Sequence, residues 1–148
     1  MIPPETISVL LAAVPGIEAM WASAYLICAG ALALVPLAIL INFAAVVIFV
    51  HVVERVGLPA RLERFLEHRV NSRVKRFEAW FSRYGYAVIL VLVALPLSGI
   101  GSYTGAFIGR TLGLRRPVFY VCIFLGIVVS VLFAFLIAYG INVIGVTC

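Results

Sequence analysis

The feature that most constrains this sequence is the run from Ala19 to Val53, which contains no charged side chain. A helix needs about 20 apolar residues to cross the hydrocarbon core of a bilayer, so this run is too long for one span. Pro36 is tolerated in the first turn of a helix, which predicts a separate helix over Leu37–Val53. Hydrophobic residues make up 65% of the chain and charged residues 11%, which is too little charge to coat a soluble domain. The sequence therefore predicts an all-α integral membrane protein with a single membrane domain, residues 1–148.

The remaining apolar stretches differ in length, and length decides which of them can cross a bilayer. The stretch Ile7–Val14 ends at Pro15-Gly16 and is far too short to cross. The stretch Ala87–Gly109 is long enough to cross once, but one proline and several glycines interrupt it. The last stretch, Val118–Val146, is long enough for a tilted span. We therefore expect two full spans and two shorter apolar segments.

The positive charges decide between two topologies. Eight basic residues lie in the block Glu54–Arg83, and Arg110, Arg115 and Arg116 form a second cluster. If Ala87–Gly109 crosses the bilayer, the two clusters lie on opposite sides; if it enters, turns and returns, they share one side. The second topology is favoured because Lys and Arg concentrate in cytoplasmic loops. A re-entrant segment is tolerated where protein or water surrounds its backbone. We expect the central block in the cytoplasm and both termini outside, in the inner (cytoplasmic) membrane of a cell.

The spacing of prolines indicates an internal repeat. The interval from Pro15 to Pro36 equals the interval from Pro96 to Pro117. A single shift along the sequence therefore places Pro15 on Pro96 and Pro36 on Pro117. Each unit would comprise a re-entrant helical hairpin and one transmembrane helix. Because both basic clusters are expected in the cytoplasm, the first unit starts outside and the second starts in the cytoplasm. The two units therefore have inverted topology, an arrangement that recurs in transporters.

The segment between the two repeats has the period of an amphipathic helix. We assign repeat 1 to residues 3–54, the linker to residues 55–84 and repeat 2 to residues 85–146. From Pro59 to Tyr84 the apolar residues recur mostly in steps of three and four, and charged residues occupy the opposite face. We therefore expect a cytoplasmic amphipathic helix that lies on the membrane surface.

The predicted tip of hairpin 1 contains Pro15, Gly16 and Glu18. Glu18 is the only charged residue between Glu5 and Glu54. An ionised carboxyl is costly at bilayer depth, so Glu18 must face water, bind a partner or take up a proton. Proton uptake of this kind is the chemistry of a proton-coupled carrier. The simpler alternative is a carboxyl near the interface that caps the returning helix.

The second turn combines glycines with hydroxyl side chains. Glycine lets backbone groups approach a ligand, and the start of a helix near Gly101 can hold an anion. An alternative is that Gly101, Gly105 and Gly109 form a small-residue stripe that packs one membrane helix on another. Arg110 either binds substrate, pairs with Glu18 or anchors the topology at the interface. The predicted substrate-binding residues are Pro96, Ser98, Gly99, Gly101, Ser102, Tyr103, Thr104, Gly105 and Arg110.

Several other functions are not expected. The chain has two histidines, His51 and His68, and no cluster of cysteines and histidines, which argues against a metal site. No nucleophile–base pair indicates an enzyme, no basic module indicates nucleic-acid binding, and no cofactor is expected.

Two motifs resemble those of the putative small multidrug export protein family. Val14–Glu18, with the sequence Val-Pro-Gly-Ile-Glu, resembles the first family signature, and Ala94–Ala106 resembles the second. The family pattern has an arginine soon after the glutamate, whereas this chain continues Ala-Met-Trp. The family is similar to the DedA, or SNARE-associated (VTT), superfamily, whose members have two re-entrant hairpins in inverted repeats. The resemblance implies a transporter with Glu18 as its proton-linked acid. It places the second hairpin tip at Pro96, Gly99, Gly101, Thr104 and Gly105.

The sequence and the resemblance together predict a secondary transporter, coupled to protons, that exports a small solute. The first alternative is a translocase of a polyprenyl phosphate or another phospholipid, and the second is an uncoupled scramblase or a structural membrane protein. For a drug-like or cationic solute the candidate aromatic contacts are Trp21, Tyr25 and Tyr103. For a lipid phosphate the candidate contacts are Arg110, Arg115 and Arg116. The expected partners are the bilayer, the small-molecule or lipid substrate and protons; exposed small-residue faces would allow a homodimer.

Labelling of single cysteines, introduced at Arg61 or Arg115 in a cysteine-free background, tests the topology. Both positions should react with a membrane-impermeant thiol reagent added from the cytoplasmic side, because the re-entrant topology places both basic clusters there. A cysteine introduced at Thr6 is the control and should react from the outside. Labelling of positions 61 and 115 from opposite sides would contradict the re-entrant topology.

Overall fold

The computed structural model of the protein describes residues 3–57, 84, 86–94, 101–111 and 114–143. Every regular element within these residues is helical, which confirms the prediction of an all-α protein. Most of the predicted linker helix lies outside the described residues, as do Pro96, Ser98 and Gly99 of the second turn.

The described residues contain two short helices and a long helix, followed by a second such set. The α-helices are α1 (Pro4–Leu11), α2 (Glu18–Cys28), α3 (Val35–Val56), α4 (Tyr86–Ala94), α5 (Ser102–Thr111) and α6 (Arg116–Val143), and a short 3₁₀ helix, Leu32–Leu34, precedes α3. Both α1 and α3 have a proline in the first turn. Proline lacks a backbone N–H group, and at this position such a group would have no partner within the helix. Gly57 follows the last residue of α3 with φ +74°, a conformation that favours glycine.

Among the described residues, two segments are long and apolar enough to cross a membrane. They are Leu32–Val56 and Arg116–Gly140, each with 25 residues. At 1.5 Å per residue each covers about 37 Å, more than the ~30 Å of a bilayer core. The α1 helix has eight residues and reaches only about 12 Å, and the described part of α4 has nine residues. The two candidate spans lie where the sequence predicts full spans, and the first long α-helix begins at Val35, two residues before its predicted start.

The α4 and α5 helices lie side by side. A Cβ atom placed on Gly105 of α5 would lie 2.6 Å from Cγ2 of Val93 in α4. In one continuous helix these two residues would be about 18 Å apart. The two residues are therefore too close together for a single straight helix over Ala87–Gly109, which this contact excludes.

The two long helices are the centres of packing. The α6 helix contacts α4, α2 and α5, while α3 contacts α2, α1 and α5, and the two long helices also contact each other. The buried core between them includes Val46, Ile89, Ile123 and Ile127. Large apolar side chains on the outer faces are exposed, among them Leu40, Ile48, Leu132 and Leu136. Exposed apolar faces of this extent suit contact with lipid tails.

Gly126→Ala should destabilise the protein, whereas Gly140→Ala should not. Both glycines lie in α6, but a Cβ on Gly126 would lie 2.6 Å from Cβ of Val93 and 3.1 Å from the carbonyl oxygen of Leu90. Among the described residues, a Cβ on Gly140 meets nothing within 4 Å. Overpacking costs about 1–3 kcal/mol, while alanine is at least as good as glycine at an open helical position. Thermal unfolding in detergent measures both variants, and equal midpoints would contradict the close contact of α4 with α6.

Candidate functional site

The start of α2 has a strained backbone. Glu18 has φ +53° and is the only non-glycine residue with a positive φ in the described part of the chain. Gly16, with φ +98°, lies in the same turn. The N–H groups of Ile17 and Glu18 both donate to the carbonyl of Val14, at 3.2 and 3.1 Å. A glutamate in the left-handed region is disfavoured and persists only where surrounding contacts impose it.

One of these contacts joins two distant parts of the chain. Oε2 of Glu18 accepts a hydrogen bond of 2.9 Å from the backbone N–H of Ser102, 84 positions away. Ser102 is the first residue of α5, so the carboxylate lies at the positive end of a helix dipole. A hydrogen bond to an ionised acceptor is about twice as strong as one between neutral groups. The carboxylate therefore links the start of α2 to the start of α5.

Gly101 makes room for this carboxylate. A Cβ atom on Gly101 would collide with the carboxyl group of Glu18. Sequence analysis assigned this glycine to the approach of a ligand. The space beside it is instead filled by a side chain of the protein itself. Any residue larger than glycine at this position would push the carboxylate away from the N-terminus of α5.

Two further side chains bind the turn between α1 and α2. The hydroxyl of Tyr103 donates a hydrogen bond to the carbonyl of Ala13. Nδ2 of Asn42, in α3, donates one of 2.6 Å to the carbonyl of Ala12. The ring of Tyr103 also packs edge-to-face on Phe49 of α3, with centroids 5.4 Å apart. Side chains from α3 and α5 therefore hold the two consecutive carbonyls at the end of α1.

Sequence analysis did not include Asn42 among the site residues. Asn42 is fully buried in a 22-residue apolar helix, and a single amide in such a helix was the signal available in the sequence. The carbonyl that it binds is 30 positions away, and nothing in the sequence identified that partner.

Two buried polar atoms near this region have no hydrogen-bond partner among the described residues. They are Oγ of Ser23 and Oδ1 of Asn42, in residues that are fully buried. Buried polar atoms are rarely left unpaired, because the lost hydration is not replaced. These atoms are therefore available to ordered water or to a polar group of a solute.

The glycines of α5 contact three different neighbours. Gly101 faces Glu18, Gly105 faces Val93 of α4, and Gly109 faces the ring of Phe119 in α6. The glycine stripe therefore allows close packing, but against three different helices and not against a single one. Thr104 is half-buried on the same helix.

Arg110 lies away from Glu18. It is eight residues beyond Ser102, which is about 12 Å along α5. At this end of α5 the side chain lines a cavity of about 180 Å³ between α3, α5 and α6. The ion pair in this cavity joins Nη2 of Arg116 to Oε2 of Glu54 at 3.4 Å. Among the described residues the structure forms no ion pair between Glu18 and Arg110, one of the three roles considered for this arginine.

The other predicted contact residues lie elsewhere. Trp21 and Tyr25 are 61% and 44% exposed and do not line this cavity. Arg115 is exposed, and its backbone N–H donates to the hydroxyl of Tyr86 at 3.1 Å. Within the described residues no group of three metal-binding side chains comes together.

The fold, with its two long apolar helices and its buried polar contacts, is that of a helical membrane protein. Comparison with protein families matches residues 6–133 to the family described as putative small multi-drug export protein. Because the match covers most of the chain, the protein belongs to this family, whose description is that of an exporter and not of an enzyme. No curated protein and no solved structure matches the chain.

Asn42→Ala should cost about 1–3 kcal/mol of stability, because it leaves the buried carbonyl of Ala12 unpaired. Ser130→Ala is the matched control. Ser130 is also buried in a long apolar helix, but its Oγ donates to Ile127 within that helix, at 2.7 Å. Chemical or thermal unfolding in detergent should show a large loss for the first variant and little for the second. A loss of equal size in both variants would contradict the assigned role of Asn42.

Proposed function

We propose that the protein is a secondary transporter that exports a small solute in exchange for protons, and that Glu18 is its proton-coupling residue. The observation that carries this proposal is the position of the carboxylate of Glu18, bonded to the N–H of Ser102 and packed on Gly101. This carboxylate joins the start of α2, in the first half of the described structure, to the start of α5, in the second.

Protonation would change this contact directly. An ionised carboxylate is attracted to the N-terminus of α5, a term worth about 0.3–1 kcal/mol at exposed sites and up to about 2 kcal/mol where burial helps. A protonated carboxyl loses that attraction. The contact between the two turns would therefore weaken when Glu18 takes up a proton. A solute with a positive charge could compete with the proton for the same carboxylate, and this competition is the simplest basis for exchange.

The buried polar groups around Glu18 support a path for solute or water beside it. Asn42 offers an amide oxygen that has no partner among the described residues, and Tyr103 closes the turn from the side of α5. We include Gly101, Ser102, Tyr103, Thr104 and Gly105 in the proposed substrate path. Arg110 lies at the opposite end of α5, beside the cavity lined by Glu54 and Arg116, and outside this proposed path.

The proposed architecture is a pair of inverted repeats. Val35 and Arg116, the first residues of the two long helices, are separated by the same interval as Pro15 and Pro96. The contacts are paired in the same way: α6 contacts α4 and α2, and α3 contacts α1 and α5. These correspondences support the proposal that each short helix pair is re-entrant, and that the repeats face each other in the inner membrane.

Glu18→Gln tests the coupling. Proteoliposomes with an imposed pH gradient and the cationic dye ethidium as the probe should show dye-dependent proton flux for the wild type. In Glu18→Gln this flux should fall at least about tenfold, because an amide cannot take up the proton. Fluorescence of a trapped pH indicator measures the flux.

Glu5→Gln is the control, because Glu5 lies in the first turn of α1 and has no role in the proposal. Gly101→Ala should also reduce the flux, since its Cβ displaces the carboxylate while the acid itself remains. Dye-dependent proton flux that is unchanged in Glu18→Gln would falsify the coupling proposal.

A further inference from the structure

The two long helices run in opposite directions. Arg116, the first residue of α6, forms an ion pair of 3.4 Å with Glu54, close to the last residue of α3. Further into both helices, Phe43 of α3 packs edge-to-face on Phe124 of α6, with ring centroids 5.3 Å apart. The contacts therefore move back along α3 as they move forward along α6. It follows that the start of α3 and the end of α6 lie at the same end of this helix pair.

The last residue of α2 is a cysteine that is already in a covalent bond. Cys28 forms a disulfide, whereas Cys122 of α6 is a free thiol. The chain has three cysteines, and the third is Cys148, which lies outside the described residues. By elimination, Cys148 is the cysteine of this sequence that is left to pair with Cys28.

The path of the chain brings these two cysteines to the same end of the protein. Cys28 comes four residues before Leu32, where the first candidate span begins. Cys148 comes five residues after Val143, the last residue of α6. Five residues reach at most about 17 Å even when fully extended. Cys148 is thus confined to the end of the helix pair where α3 starts, and α2 itself contacts α6.

We propose that Cys28 and Cys148 form a disulfide that fastens the segment after α6 to the end of α2. Its formation joins the two Sγ atoms, and the two thiols lose two protons and two electrons. A dithiol oxidase of the extracytoplasmic compartment accepts the electrons by thiol–disulfide exchange. The proposal does not depend on proton coupling by Glu18.

The disulfide also assigns a side of the membrane. Disulfides persist in oxidising compartments outside the cytoplasm and are rare within it. The end of α2 and the end of α6 would therefore both face the outside. This orientation agrees with the one expected from the basic clusters, but the argument for it uses no charged residue.

The bond would hold α2 at the end opposite to Glu18. The start of α2 is fixed by the hydrogen bond from the N–H of Ser102 to Glu18, and its end would be fixed by the disulfide. A cross-link between residues so far apart in sequence strongly restricts the unfolded chain. We therefore expect the oxidised protein to be more stable than the reduced protein.

The number of oxidised cysteines in intact cells tests the pairing. Free thiols of the chain, expressed in a bacterial inner membrane, are blocked with N-ethylmaleimide before lysis. Reduction and a maleimide–polyethylene glycol reagent then tag each cysteine that was in a disulfide. The wild type should carry two tags and run as a monomer on a non-reducing gel. Cys28→Ser and Cys148→Ser should carry none, and Cys122→Ser, the matched control, should carry two.

Three results would overturn the pairing: no tags in the wild type, two tags in Cys148→Ser, or a disulfide-linked dimer on the non-reducing gel. The assigned side of the membrane has a separate check. In a host without its extracytoplasmic thiol oxidase the number of tags should fall, because the thiols lose their electron acceptor. Two tags in that host would contradict the assigned side.

Dithiothreitol should lower the thermal midpoint of the wild type in detergent by about 5–15 °C, because it opens the cross-link. Cys122→Ser should show the same shift, and Cys148→Ser should show none. Equal midpoints of the wild type with and without dithiothreitol would contradict the restraint of α2 by the disulfide.

Discussion

The hydrogen bond between the carboxylate of Glu18 and the N–H of Ser102 is the contact on which the arrangement of the two halves depends. It joins the starts of α2 and α5, two short helices that cannot cross a membrane by themselves. The bond requires a glycine at position 101 and a left-handed backbone at Glu18. A charged group that costs free energy to bury thus lies where a helix terminus offers a compensating positive potential.

Close backbone approach is the second constraint. Gly105 and Gly126 both allow Val93 to pack where a methyl group would collide, so α4 lies close to α5 and to α6. Between helices surrounded by lipid, such packing and a few buried hydrogen bonds replace the hydrophobic effect as the source of specificity. Asn42 supplies one of these hydrogen bonds by holding the carbonyl of Ala12.

The two ends of α5 have different electrostatic character. At its start, a carboxylate from α2 is bound, and the amide oxygen of Asn42 is buried without a partner among the described residues. At its end, Arg110 lines a cavity together with Arg116 and Glu54, which form an ion pair.

The sequence by itself determined the class of the protein, its two long spans and the identity of Glu18 as a candidate acid. These are properties of local composition, because hydrophobic length and the position of charges can be counted along the chain. Only the tertiary structure decided that Glu18 meets Ser102 across 84 positions, and that Arg110 lies at the other end of α5. It also decided that the glycines of α5 contact three different helices and that Asn42 binds Ala12. Such contacts join residues that are distant in sequence, and they leave no periodic pattern from which a partner can be read.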